Sequence, residues 1–128
     1  MNKKSGEISI SILEEGDLHT LVTWAEDEKT MLQWCGPVFE YPLTIEQLKV
    51  YFSETKKPLP GRIIHKAIDT NGNIAGMCEL GSIDRKNGFA SLCRIFTDKN
   101  YRGKGIAEMM ISEMINFAFN ELGLRRLE

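Results

Sequence analysis

The stretch SLCRIFTDKNYRGKGIAEMMISEMINFAF, residues 91–119, decides the fold because a glycine-rich loop joins a strand pattern to a helix pattern. Residues 89–97 form an apolar, β-branched run that predicts a strand. From about Lys104 to Leu122 the chain predicts a helix, and Gly123 is suitably placed to end it. The polar positions of this helix form one narrow i, i+4 stripe: Glu108, Ser112, Asn116 and Asn120. Since most other positions are apolar, we expect the helix to lie against a sheet.

The segments before this stretch predict three more strands and two helices. EISISIL, residues 7–13, alternates so that Ile8, Ile10 and Ile12 face one side of a half-buried strand. A helix is predicted within residues 14–29 with Asp17 as N-cap, and another within residues 44–54. The second of these begins with Thr44 and Gln47 in capping-box register. Residues 31–42, which contain Gly36, Pro37 and Pro42, are predicted to be an irregular, aromatic-rich connection.

The remaining strands are predicted at residues 62–69 and 74–81, on either side of the turn sequence TNGN. Together with residues 89–97 they predict a three-stranded antiparallel meander. LRRLE, residues 124–128, resumes a strand-like pattern.

Size and composition predict a single domain and exclude several classes of protein. The chain has 128 residues, of which 42% are hydrophobic, and a formal net charge of -2. No broad basic field indicates a nucleic-acid partner, and no apolar run approaches the ~20 residues that span a membrane. Cys35, Cys78 and Cys93 lack paired spacing, so we predict no metal site and reduced thiols in a cytoplasmic protein.

The loop before the long helix has the chemistry of a phosphate site. A helix N-terminus offers free N–H groups, and Gly103 and Gly105 would let a ligand approach the backbone. Arg102 and Lys104 add positive charge. A tight turn with solvated cations explains the same composition, so the sequence leaves both interpretations open.

Three phosphate-binding patterns can be compared with this loop. The Walker A pattern fails because glycine follows Lys104, and the Rossmann pattern fails because Glu108 stands at its third glycine. A third pattern, Arg/Gln-x-x-Gly-x-Gly/Ala, is satisfied by Arg102, Gly105 and Ala107.

This third pattern resembles the acetyl-coenzyme A motif of the GNAT acetyltransferases, and the order of elements agrees with theirs. The resemblance covers essentially the whole chain, although only residues 89–123 carry specific motif residues, and the sequence style is closest to the RimJ/RimL-like branch. It implies an α+β fold with a mixed sheet in the order β-α-α-β-β-β-α-(β). It also implies a coenzyme A or acetyl-coenzyme A site. The residues that it places at this site are Ile95, Phe96, Thr97, Arg102, Gly103, Lys104, Gly105, Ile106 and Ala107.

The resemblance implies direct attack of an amine on the thioester, assisted by a base that is hard to find in this sequence. Ser91 stands where many members have a glutamate, and serine is a poor base. Glu79 on the neighbouring strand is the other catalytic candidate, although an exposed strand residue without a catalytic role is preferred for it. Cys93 is interpreted as a small buried hydrophobe. The aromatic residues of the first half are assigned to packing rather than to a pocket wall: Trp24, Trp34, Phe39 and Tyr41.

The end of the chain departs from the family pattern. Members continue with a strand, a helix and two more strands, whereas this sequence ends at Glu128. We therefore expect an incomplete domain over residues 1–128, through truncation in preference to a natural short form or a homodimer. The predicted function is acetyl transfer to a small amine or a protein N-terminus, with doubtful activity in this chain. A non-catalytic acyl-coenzyme A binding or dimerisation module and a nucleotide-binding domain are the alternatives.

Overall fold

A mixed five-stranded sheet with helices on both faces organises the protein. The computed structural model describes residues 8–128. The elements follow one another as β1 (Ser9–Ile12), α1 (Leu18–Trp24), α2 (Glu28–Cys35), α3 (Ile45–Ser53), β2 (Ile63–Ile68), β3 (Ile74–Asp84), β4 (Phe89–Thr97), α4 (Ile106–Asn116) and β5 (Arg126–Leu127). Within residues 8–128, no helix has the length and apolarity that crossing a membrane requires.

The strands lie side by side in chain order, from β1 to β5. Neighbouring strands from β1 to β4 are antiparallel, and β5 pairs parallel to β4. The predicted α+β class, the mixed sheet and the antiparallel meander are therefore confirmed.

Alternating side chains of β3 separate two apolar clusters. Met77 packs into the cluster that α1, α2 and α3 form on one face of the sheet. Cys78 and Leu80 pack on the other face, against the buried stripe Ile106, Met110 and Met114 of α4. The long helix thus lies on the sheet as its narrow polar stripe predicts.

Helix α2 extends into the first part of the segment that the sequence predicted to be irregular. Asp27 caps it, because its carboxylate accepts a hydrogen bond from the Thr30 N–H at 2.7 Å. Met31, Trp34 and Cys35 are buried on one side, at the i, i+3, i+4 spacing of an amphipathic helix. The expectation was wrong for residues 31–35 because Gly36 and Pro37 end this helix rather than prevent it.

The predicted caps have different outcomes. Thr44 caps α3 as expected, since its hydroxyl accepts the Gln47 N–H at 3.2 Å. Asp17 precedes α1 but its side chain does not cap that helix. Its carboxylate instead accepts the Glu14 N–H at 2.8 Å and pairs with the buried Lys66 ammonium at 2.6 Å. Pairing with a buried cation from the sheet outcompetes a local cap here.

Strand β1 departs from the predicted alternation at its end. Ile8 and Ile10 pack on the α4 side of the sheet, as expected. Ile12 is exposed, and Leu13 is buried instead on the opposite face. The chain leaves the strand at this point to enter α1, so the period of two no longer determines which side chain is buried.

Helix α4 widens at its C-terminal end. Residues Phe117–Glu121 form a π-helical turn, and Gly123 follows with φ +69°. The predicted end of the helix and the predicted role of its glycine are therefore confirmed. The wider turn lies over His65 of β2, whose ring centroid is 5.0 Å from that of Phe117.

The half-buried His65 should make the stability of the fold depend on pH. Burial lowers its pKa from the ordinary value of 6.5, against a smaller opposite effect of the Glu113 carboxylate, and its buried Nδ1 has no hydrogen-bond partner among residues 8–128. The unfolded chain therefore binds a proton at this position before the folded chain does as pH falls. Its contribution to stability is full above about pH 6.5 and is lost as pH falls through the lower, folded pKa.

We expect the melting temperature to decrease as the pH is lowered from about 7.5 to about 5.5. This decrease should be smaller in His65→Gln. The quantity to compare is the slope of melting temperature against pH in the native protein and in His65→Gln. Glu79 has the opposite effect on stability as pH changes, and this effect is the same in both proteins. His19→Gln removes the exposed histidine and serves as the matched control. An unchanged slope in His65→Gln would show that this imidazole does not couple folding to pH.

Candidate active site

An open cleft of about 630 Å³ lies at the end of β4, between α2 and the loop that leads to α4. Its volume is in the ordinary range for a small-molecule site. All of the predicted coenzyme A residues except Lys104 line it. The lining residues are Thr30, Gln33, Trp34, Ile95, Phe96, Thr97, Tyr101, Arg102, Gly103, Gly105, Ile106, Ala107 and Glu108.

A β-bulge reshapes β4 where it enters this cleft. Met77 pairs with Phe96 and Glu79 pairs with Cys93, so β3 advances by two residues while β4 advances by three. The bulged strand holds Arg94 at φ +49°, a conformation that is uncommon outside glycine. Bulges bend a strand and end its regular pairing, and they recur next to functional sites.

The last residues of β4 also lack a strand partner on the β5 side within residues 8–128. Strand β5 pairs only with the beginning of β4, at Phe89 and Ala90. The Leu92 N–H donates to the Glu128 carbonyl, and beyond it no strand of the described residues pairs with the edge from residue 93 to residue 97. An open edge offers backbone N–H and C=O groups to an extended ligand.

The glycine loop presents backbone to the same cleft. Gly103 and Gly105 have φ +81° and +76°, which residues with a side chain rarely adopt. Gly105 is the N-cap of α4, and within the described part of the chain no side chain caps this end of the helix. The first N–H groups of α4 therefore remain available, and the helix dipole favours an anion beside them.

The two cations of the loop lie on different sides of it. The Arg102 Nε donates to the Thr97 carbonyl at 3.0 Å, and its guanidinium lies 5.3 Å from the Phe96 ring centroid. Arg102 is thereby held against the wall of the cleft. Lys104 lies over Tyr101 and lines a neighbouring groove instead.

An aromatic group joins the cleft to the first helices. The Phe96 ring lies 5.0 Å from both Trp24 and Trp34, measured between ring centroids. Both tryptophans are buried, which agrees with the expected packing role, although Trp34 also lines the cleft. The Trp24 Nε1–H donates to the Asp98 carboxylate at 3.0 Å, and the same carboxylate accepts the Asn100 N–H. Asp98 therefore connects α1 to the start of the loop.

The predicted catalytic candidate Glu79 is buried rather than exposed. Only 1% of its surface is accessible, so the preferred interpretation as a surface strand residue is wrong. The Tyr51 hydroxyl lies 2.7 Å from both carboxylate oxygens, and the nearest nitrogens of Arg62 and Arg94 lie at 3.4 and 3.5 Å. Burial raises the pKa of Glu79, although Tyr51 and the two arginines act in the opposite direction. Glu79 is not among the residues that line the cleft.

Ser91 and Cys93 also lie outside the wall of the cleft. Ser91 pairs with Gly81, and Cys93 pairs with Glu79. The Cys93 thiol is half-buried rather than fully buried and lies 3.1 Å from an Arg94 nitrogen. Burial raises the pKa of Cys93, which keeps it a protonated thiol and a weak nucleophile.

The residues that sequence reasoning missed come from α2, from the loop and from the first turn of α4. Thr30, Gln33, Tyr101 and Glu108 line the cleft but were not assigned to it. For α2, the pattern Asp27-x-x-Thr30 before a spaced apolar triplet is a helix-start signal that could have placed Thr30 and Gln33. No local signal indicates that Glu108 faces a cleft.

Comparison with known proteins identifies the fold and the family. A family model described as "Acetyltransferase (GNAT) family" matches residues 18–128. The SPbeta prophage-derived uncharacterized N-acetyltransferase YokL of Bacillus subtilis (strain 168) is 33% identical over 88 residues, which are 68% of this chain and 48% of that protein. The matched region thus spans about half the length of this curated relative.

Solved spermidine N-acetyltransferases of Vibrio cholerae share the fold. The complex of that enzyme with CoA and spermine superposes with a TM-score of 0.79, at 19% identity, covering 95% of this chain and 69% of the other. A dodecameric structure of the same enzyme gives a TM-score of 0.75, at 19% identity, over 95% and 68% of the two chains. With the family model matching most of its length, this chain belongs to the GNAT acetyltransferase family.

Proposed function

We propose that this protein transfers an acetyl group from acetyl-coenzyme A to a primary amine. The observation that carries the proposal is the convergence of the uncapped start of α4, the positive-φ glycines and the open end of β4 on one cleft. A pyrophosphate would bind at the uncapped start of α4, and an extended chain of amides would pair with the open end of β4.

The residues present fit coenzyme A. A Cβ atom built on Gly103 would meet nothing within 4 Å, so the loop leaves space for phosphate oxygens near its backbone. The N–H groups between Arg102 and Ala107 would bind the pyrophosphate, and Ile95, Phe96 and Thr97 would bind the pantetheine arm. Acetyl-coenzyme A supplies the acetyl group as a thioester. A backbone N–H of the bulged strand would stabilise the oxyanion that forms when the amine attacks.

Attack by the amine requires a base that removes its proton. Glu79 is the candidate general base, since burial raises its pKa toward the range in which a base works near neutral pH. Its 1% exposure means that the proton reaches it through a water molecule or after a side-chain movement. Ser91 is the weaker candidate. A pH–rate profile whose acidic limb disappears in Glu79→Gln but persists in Ser91→Ala would support this assignment.

The proposed activity is tested by acetyl transfer to a panel of acceptors. We expect acetyl-coenzyme A to release free thiol with at least one class among simple amines, polyamines and peptides with a free N-terminus. Stabilisation by coenzyme A without turnover of any acceptor would favour the non-catalytic binding module. A response to ADP or NAD without a response to coenzyme A would favour the nucleotide-binding alternative.

Two finer predictions remain proposals. A small amine as acceptor is compatible with the open cleft, and so is a peptide N-terminus. A homodimer, which the sequence leaves as an alternative, is a further proposal to be tested by light scattering, since the dodecameric assembly is that of the neighbouring enzyme.

A further inference from the structure

A group of buried and half-buried polar and charged side chains lies beside the bulge of β4. The proposed acetyl transfer gives a role to only some of these side chains. We call Tyr51, Arg62, Glu79, Cys93 and Arg94 the two-arginine cluster. Tyr51 comes from α3, Arg62 precedes β2, and the other members come from β3 and β4. Four separate segments of chain therefore meet here, and two of them bring guanidinium groups to one carboxylate.

The cluster contains more positive than negative charge. Arg62 and Arg94 each contact Glu79, at 3.4 and 3.5 Å, and among the described residues no second carboxylate lies within 4 Å of either guanidinium, although the more distant Glu54 carboxylate also acts on Arg62. The Arg94 Nε is buried without a hydrogen-bond partner in residues 8–128, whereas the Arg62 Nε makes the 3.4 Å contact with Glu79 and the Arg62 Nη1 donates to the Tyr51 carbonyl at 3.0 Å. A surplus guanidinium that is partly removed from water is stabilised by an anion.

The outer parts of the two arginines remain accessible. Their side chains are 27% and 23% exposed, in the order Arg62 and Arg94. The enclosed cavity beside Glu79 and Arg94 measures only about 20 Å³, which is room for about one water molecule. An anion would therefore bind at the exposed side of the guanidinium groups, and not inside the cavity.

The cluster adjoins the cleft through two residues. Arg94 directly precedes Ile95, and Ile95 lines the cleft. Trp34 borders both the cleft and the small cavity. Arg94 also has positive φ, and such backbone strain persists where the surroundings hold it, frequently at ligand sites.

The remaining charges of the region do not suit a polycation. Glu108 is the single acidic residue among those that line the cleft in the described chain. Nearby Glu26 is paired with Lys99 at 2.6 Å, and Asp98 already accepts hydrogen bonds from Trp24 and Asn100. Glu108 would favour a cationic acceptor, whereas the accessible sides of Arg62 and Arg94 together carry more charge and favour an anionic one.

We propose that the acceptor amine carries an oxyanion, a carboxylate or a phosphate, which Arg62 and Arg94 bind. This inference rests on the proposed acetyl transfer and adds the class of acceptor. Arginine suits this role because its planar fork of N–H groups matches two oxygens of such an anion. Glu79 and Tyr51 hold the two guanidinium groups in place, so they are positioning residues for the anion.

The test compares primary amines that differ in the group at their far end and, among the amino acids, in length. Hexylamine, 1,6-diaminohexane and the ω-amino acids from glycine to 6-aminohexanoate form one series, and ethanolamine and O-phosphoethanolamine form the phosphate arm. We expect kcat/KM to be at least ~10-fold higher for the best anionic acceptor than for its neutral partner, equivalent to about 1.4 kcal/mol. Arg94→Gln should remove most of that preference, and Arg94→Lys should restore part of it. Arg85→Gln, on the exposed turn after β3, is the matched control.

A binding measurement separates this inference from the proposed activity. In the presence of coenzyme A, 6-acetamidohexanoate should stabilise the protein more than N-hexylacetamide, and Arg94→Gln should abolish the difference. Turnover without preference for an anion would overturn the inference and leave the transferase intact. Stabilisation by the anionic product without turnover would support the anion site and reject the transferase. Equal responses to both products would overturn the anion site whatever the turnover.

Discussion

Replacing Gly105 with aspartate is expected to abolish the stabilisation that coenzyme A gives to the folded protein. Gly105 has φ +76° at the start of α4, where a carboxylate would stand beside the N–H groups proposed to bind the pyrophosphate. Two like charges about 4 Å apart repel by about 4 kcal/mol at an effective dielectric constant near 20. Even if solvent screening removes a third of that energy, affinity falls by about 100-fold.

Thermal melting measures this loss directly. Ligand at about 100 times its Kd adds about 2.7 kcal/mol, which corresponds to a shift of about 10 °C for a domain of this size. After a 100-fold loss of affinity the same concentration adds about 0.4 kcal/mol, a shift near the detection limit.

Gly123→Asp is the matched control, because Gly123 has φ +69° at the opposite end of the same helix and no atom near its Cβ position. It introduces the same charge and comparable backbone strain away from the cleft. Gly105→Ala separates strain from charge at the site itself. A coenzyme A shift that survives in Gly105→Asp would place the pyrophosphate elsewhere and leave the loop a plain turn.

Replacing Glu79 with alanine is expected to destabilise the fold by about 3 kcal/mol. The change leaves two arginines without their carboxylate and the Tyr51 hydroxyl without its acceptor. The expected cost lies at the lower end for a broken buried ion pair, because both arginines are partly exposed. At about 4 °C per kcal/mol for this length, the melting temperature should fall by about 12 °C.

Glu79→Gln and Glu113→Ala define what this result means. The amide of Glu79→Gln can still accept the Tyr51 hydroxyl, so its melting temperature should lie between those of the native protein and Glu79→Ala. Glu113→Ala removes an exposed carboxylate of α4 and should shift the melting temperature by no more than about 2 °C. If Glu79→Ala and the native protein have the same melting temperature, Glu79 does not hold the cluster together.

The residues whose environment is local were predictable from the sequence. The strand–loop–helix stretch, the hairpin turn and the Thr44 cap depend on neighbours a few positions away, and patterns of period two and 3.6 report such neighbours. The predicted cofactor residues converge on one cleft largely because they are consecutive in the chain at the end of β4 and the start of α4.

The residues whose environment is tertiary were not predictable. Glu79 sits in a strand pattern that fits an exposed position, and only Arg62, Arg94 and Tyr51 from distant segments explain its burial. Asp17 has a good capping sequence, but Lys66 takes its carboxylate. The bulge at Arg94 leaves no mark in the alternation of FASLCRIFT, because an extra residue becomes visible only against its partner strand.

The hydrogen bond between Trp24 and Asp98 has a consequence for how the protein opens. It links α1, near the beginning of the chain, to the turn that leads into the glycine loop. Local opening of α1 therefore frees one restraint on the loop, and opening of the loop frees one restraint on α1. The coupling free energy between two such segments is the same in both directions. A ligand that orders the loop should then slow amide hydrogen exchange in α1, whose Trp24 lies 74 residues from Asp98 in sequence but one hydrogen bond away in space.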